Sequence, residues 1–173
     1  MLKIVTNIRK DLKKNSDKKT KESSKRFFKE EVVLYGVKSA IVSKIAKKYF
    51  QEIKELNKKE LFLICEELLK SNYCEEAYIV SNWLPKKIDI LEKKDIKIFK
   101  KWIDLYINNW AKCDGFCNHT IGDLLEKFPE ILPEIKSWSK SKNKWLKRAS
   151  AVSLILPARR GKYLTDVFEI SDV

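Results

Sequence analysis

The run Asn57-Lys58-Lys59-Glu60-Leu61-Phe62-Leu63-Ile64-Cys65-Glu66-Glu67-Leu68-Leu69-Lys70 opens on a helix-starting signature and then keeps a helical rhythm. The Asn57 side chain can accept from the backbone N–H of Glu60 while the Glu60 carboxylate reaches back, which is a capping box. Beyond it, apolar residues return at spacings of three and four and so share one face, which predicts a helix over 58–71. The same rhythm runs through nearly every other segment, and no window shows sustained alternation. The chain therefore reads as all-α, with helices expected near 1–14, 20–33, 38–54, 58–71, 74–82, 93–108, 114–127, 130–140 and 144–156, and a last one starting near Tyr163. Pro85, Pro129 and Pro157 are expected to stop or start helices, because proline lacks an N–H and crowds the preceding turn. Asn143 is placed to cap the helix that follows it, and Gly161 lies where a chain leaving a helix often needs positive φ.

A length of 173 residues with a hydrophobic fraction of 44% suits one domain, 1–173, with a sizeable core. The formal net charge is +13, from 37 Lys and Arg against 24 Asp and Glu. A polyanion is the first partner to consider, although lysine-rich helix faces that are simply solvated give the same count. Nucleic acid is favoured over membrane, since no apolar run approaches the roughly 18 residues of a span. The amino terminus lacks the apolar core and cleavage site of a signal peptide, so a cytoplasmic location is expected. Four cysteines, Cys65, Cys74, Cys113 and Cys117, are then expected to be reduced. Cys113, Cys117 and His119 form a C-x3-C-x-H cluster, but a structural zinc takes four ligands in paired spacings. Buried thiols serving as small apolar residues are expected here, with no metal and no organic cofactor.

Two further segments carry chemistry. Asn108-Asn109-Trp110-Ala111-Lys112-Cys113-Asp114 is followed about thirty residues later by Ser141-Lys142-Asn143-Lys144-Trp145-Leu146-Lys147-Arg148-Ala149. On a helix Trp110 and Asp114 share a face, as do Trp145 and Arg148. Two neighbouring helices can thus offer an aromatic plane, an anion and a fixed cation to one groove. With Tyr35-Gly36-Val37 upstream and Ile121-Gly122 between them, these segments resemble the alkylpurine DNA glycosylases of the AlkD type, a DNA-repair family built from HEAT-like repeats.

Pattern alone leaves a globular bundle and a stacked solenoid open, because divergent repeats of about 40 residues share only their apolar faces. The resemblance implies the solenoid, a curved α-α superhelix whose concave groove accepts duplex DNA. It also implies a monomer that excises cationic N3- or N7-alkylated purines, such as 3-methyladenine and 7-methylguanine, by hydrolysing the N-glycosidic bond. An alkylated purine is a cation and leaves readily, so the useful catalyst is a fixed anion beside the developing sugar cation. Asp114 suits that role. Trp110 suits cation–π attraction to the damaged nucleoside. Arg148 suits a grip on phosphate, since a guanidinium binds phosphate in bidentate fashion and only five of the basic residues are arginines. Lys147 and the cluster Arg159-Arg160-Gly161-Lys162 complete the expected DNA contacts.

Plainer readings stand beside these. Trp110 can be a core residue, Asp114 a helix cap before Gly115, Arg148 an exposed ion-pair partner, and the Arg159–Lys162 cluster a solvated turn. Trp83, Trp102, Trp138 and Trp145 read as core or repeat packing. The rival functions are a non-catalytic HEAT-like DNA binder and a protein-interaction scaffold. Family members usually run on for about two further repeats, which marks the chain as a fragment or a shortened relative, and Lys147 stands where the family often has a second arginine. If the chain is a fragment, a last helix near 163–173 should expose an apolar side.

Overall fold

The capping box forms as read: Glu60 N donates to Asn57 Oδ1 at 3.0 Å and Asn57 N donates to Glu60 Oε2 at 3.3 Å. The structure, a computed structural model, describes residues 2–171. It is all-α, and the one ladder-like contact among the described residues is an isolated bridge between Val33 and Tyr73. No helix among them is long and apolar enough to cross a membrane. The chain divides into two compact units, Met1–Lys87 and Ile88–Val173.

The first unit contains α1 (Leu2–Lys14), α2 (Lys18–Lys25), α3 (Ser39–Ile53), α4 (Lys58–Lys70) and α5 (Cys74–Trp83). The α3 and α4 helices both pack on α5, and α1 packs on α3 and α4. Their shared core includes Ile8, Leu12, Leu61, Leu68, Ile79 and Trp83, whose indole donates to Ala46 O at 2.8 Å.

The helix expected over 20–33 is corrected here, because α2 ends at Lys25 and buries no residue. The apolar residues Val32, Leu34, Tyr35 and Val37 are buried in an irregular segment instead. What replaces helical hydrogen bonding is the Glu75 carboxylate, which accepts from the backbone N–H groups of Tyr35, Gly36 and Val37 at 3.1, 2.9 and 3.2 Å. Neighbouring Glu76, fully buried, accepts from the Tyr35 hydroxyl at 2.6 Å and from Arg9. Gly36 has φ +88°, and a Cβ there would stand 2.6 Å from Asp17 O and Lys21 Cβ of the α2 start.

The second unit contains α6 (Ile96–Tyr106), α7 (Trp110–Phe116), a π-helical turn (Cys117–Ile121), α8 (Gly122–Lys127), α9 (Leu132–Ser137), α10 (Lys144–Val152), α11 (Ile155–Arg159) and α12 (Leu164–Ser171). The α10 helix packs against α6, α7, α9 and α12. The core holds Phe99, Trp102, Phe116 and Trp138, the first three meeting as tilted or edge-on rings. Trp83, Trp102 and Trp138 are thus core residues as expected, whereas Trp145 is half-buried with Lys144 Nζ 4.6 Å above its ring.

Two expected boundaries move. The helix placed at 114–127 begins at Trp110, and the one placed at 144–156 breaks after Val152. Pro157 explains the break, because it has no N–H for the carbonyl of Ser153. Gly122 fits beside that carbonyl, where a Cβ would lie 3.1 Å from Ser153 O. The chain then leaves α11 through Gly161 at φ +77° and Tyr163 at φ +57°. On α12, Leu164 and Phe168 are exposed while Ile170 is buried.

Candidate nucleic-acid interface

The α7 helix starts at Trp110 because Asn109 is extended and its side chain accepts from Lys112 N at 3.0 Å. The α10 helix starts after Asn143 in the same way, with Asn143 Oδ1 accepting from Trp145 N at 2.8 Å. The Asn143 amide also donates to Asp104 Oδ1 at 2.8 Å, which ties the start of α10 to α6. Between α7 and α10 the Cys113 thiol is fully buried and donates to Trp145 O at 3.5 Å. These contacts set the register of the two helices, and one residue beyond Cys113 the register brings Asp114 to Arg148.

The pair is bidentate. Arg148 Nε donates to Asp114 Oδ1 at 2.6 Å and Nη2 donates to Oδ2 at 2.7 Å. Both side chains remain accessible, 29% exposed for Asp114 and 43% for Arg148. The carboxylate raises the Arg148 guanidinium further above its ordinary range, against a smaller effect of desolvation. Trp110, one helical turn before Asp114, is 40% exposed. An accessible pair of this kind contributes only about 0–1 kcal/mol to stability, so packing gives little reason for the geometry. Chemically, it presents an oriented anion beside an aromatic face. Arg148 uses Nε and Nη2 for the carboxylate, and Nη1 is left over from that fork.

Of the plainer readings, two are removed and one is upheld in part. Asp114 is not a cap, since it lies inside α7 and Asn109 caps the helix. Trp110 is not a core residue. Arg148 is an ion-pair partner, and its carboxylate is Asp114 itself. Lys147 is exposed on α10 and turned about 100° from Arg148.

Arg159, at the end of α11, and Arg160 and Lys162 beyond it are exposed, and the structure does not bond them to Asp114 or Arg148. Arg160 instead pairs with Glu126 Oε2 at 2.5 Å, with Lys162 Nζ 3.8 Å from Glu126 Oε1. Asp123, one turn before, has its carboxyl raised by burial, with His119 and Arg160 opposing and Glu126 adding to the effect. Sequence reasoning missed Glu126, and only its spacing of three residues from Asp123, about one helical turn, hinted at a paired carboxylate. It also missed Asn109 as a cap, though an asparagine before Trp110-Ala111-Lys112 is the usual signal.

Cys113 and Cys117 are fully buried, and burial pushes the Cys117 thiol well up, with Cys113 adding to it. The His119 side chain is exposed, 3.9 Å from Asp123 Oδ2. Among the described residues no group of three or more His, Cys, Asp and Glu is arranged to hold a metal.

A family model described as DNA alkylation repair enzyme matches residues 8–172. A comparison with curated proteins returns no match.

Proposed function

Because the chain belongs to the DNA alkylation repair enzyme family, its substrate is DNA and its work is repair, and we propose that it acts as a glycosylase for cationic alkylpurines. The observation that carries the reading is the accessible Asp114 carboxylate, held by both oxygens on Arg148, with the exposed Trp110 one helical turn before it on the same helix. A carboxylate on a basic DNA-binding surface repels phosphate, so a pure binder gains nothing from it. A glycosylase gains a fixed negative charge next to the sugar as the C1′–N bond breaks.

In this mechanism the alkylated purine leaves as a neutral base with the bonding electron pair, and C1′ becomes cationic. Asp114 stabilises that cation and orients the water that adds to C1′. The water gives up its proton to bulk solvent, leaving an abasic site. The Trp110 ring attracts the cationic nucleoside. Arg148 keeps the carboxylate aimed, and its Nη1 group is suited to a backbone phosphate. Lys147, Arg159, Arg160 and Lys162 contact other phosphates. No cofactor takes part, the protein acts as a cytoplasmic monomer, and the helix packing within each unit is compatible with HEAT-like repeats stacked into a superhelix around duplex DNA.

Repair by methyl transfer to a cysteine is another chemistry open to a protein that repairs alkylated DNA. It needs an accessible thiolate. Cys65, Cys113 and Cys117 are buried, and burial pushes the Cys65 and Cys117 thiols up, which disfavours it at those three and leaves the partly covered Cys74 as its one candidate.

The test is incubation with a duplex carrying a single 7-methylguanine. Free base together with an alkali-labile strand is the expected product. DNA binding with neither product, at all enzyme concentrations, would reduce the protein to a non-catalytic binder.

A further inference from the structure

Helix α7, the π turn and α8 form one uninterrupted helical rod, Trp110 to Lys127, and the rod carries two carboxylates that each hold an arginine. Asp114 holds Arg148 and Glu126 holds Arg160, both across a sequence separation of 34. A regular α-helix would turn residue 126 about 120° away from residue 114. The π turn at Cys117–Ile121 rotates less per residue and brings the two back towards one side. The second pair therefore repeats the first at a distance of about 18 Å along the rod, near five base steps of a duplex.

The Glu126 pair is incompletely satisfied. Its Oε1 is buried and has no hydrogen-bond partner, and Lys162 Nζ at 3.8 Å is too far to supply one. A carboxylate oxygen shielded from water without a donor is costly, so the free protein gains less from this pair than from a fully bonded one, and a phosphate has a weaker competitor to displace. Those cations are otherwise well placed for one. Arg160 and Lys162 are about half-exposed, at 52% and 53%. The turn that carries them is fixed: Arg160 N and Lys162 N both donate to Pro157 O at 3.0 Å, and Gly161 N donates to Ala158 O at 2.9 Å. Gly161 has open space around it, which leaves room for a bulky ligand to approach the backbone.

We infer that Glu126 holds Arg160 and Lys162 as a pre-ordered clamp for a second DNA backbone phosphate, and releases them to it on binding. The carboxylate stands in for the phosphate in the free protein, keeping two flexible side chains in position. Exchange of one oxyanion for another leaves the fold of the turn unchanged. This inference rests on the DNA-binding reading above and adds the means by which two of its phosphate contacts are held ready in the free protein.

A double-mutant cycle tests it, with affinity for an unmodified, fluorescently labelled duplex read by anisotropy at low salt. Glu126→Gln should bind about two- to fivefold more tightly, the scale of one ion pair whose cation is half-exposed. The gain should vanish when Arg160 is already alanine. An equal gain in the Arg160→Ala background would mean that only net charge has changed, and would overturn the clamp. So would unchanged or weaker binding by a folded Glu126→Gln variant. If that variant does not fold, the salt dependence decides: Arg160→Ala should lower the slope of log affinity against log salt by about 0.9, and an unaltered slope overturns the clamp. Failure of the unmutated protein to bind DNA would sink the underlying reading itself, whereas binding without these effects would sink the clamp alone.

Discussion

Asp114 and Arg148 occupy each other in the free protein, and this divides their roles more sharply than either side chain does alone. Asp114→Asn keeps size and much of the hydrogen bonding while removing the charge. It is expected to leave DNA affinity equal or slightly improved and to slow base release from a 7-methylguanine duplex about a hundredfold, by analogy with the loss of one well-placed electrostatic contact of about 2.7–4 kcal/mol. The comparison needs a DNA-only control because alkylpurines also depart unaided, and an unchanged rate would leave the pair a mere tie between α7 and α10. The types and order of Trp110, Asp114 and Arg148 were legible from their helical spacing. Their bidentate contact was not, because it depends on how α7 and α10 pack across thirty-four residues of chain.

The elements that hold the site in place give predictions of their own. Asn109 caps α7 by accepting from Lys112 N at 3.0 Å, so Asn109→Ala should cost about 1 kcal/mol in urea unfolding. An unaltered unfolding midpoint would show that packing alone starts the helix. Further along, Lys100 and then the Trp138 indole donate to Glu134, at 3.0 and 3.1 Å, and hold its carboxyl below the usual range. A depressed carboxyl stabilises the fold above its unfolded value of about 4.3 and loses that contribution as pH falls through the folded value. Glu134→Gln should therefore flatten the acid limb of stability below about pH 4, and an unchanged acid limb would mean that the contact is too exposed to matter. Helices whose cause is local, such as α4 with its capping box, were readable residue by residue. The segment at Val32–Val37 was not, since its backbone is held by Glu75, some forty residues away. The π turn carried no residue-type signal either.

At the scale of the whole chain, a net charge of +13 should make DNA binding an act of counterion release. Log affinity plotted against log salt should fall by about 0.9 for each phosphate contacted, and a flat plot would point to a different partner. Burial of the thiols has another consequence, for the survival of the protein itself. The electrophiles that alkylate purines also attack sulfur, and a repair protein works where they are abundant. Cys65, Cys113 and Cys117 are sealed in the interior, and burial disfavours the reactive thiolate at Cys65 and Cys117. Cys74, at the start of α5, is only partly covered. Treatment of the folded protein with a methylating reagent should mark Cys74 first by peptide mass spectrometry, with the other three appearing only on denaturation. Early labelling of Cys113 would instead reveal that α7 and α10 part in solution, and that the reagent which creates the substrate can also disable the site.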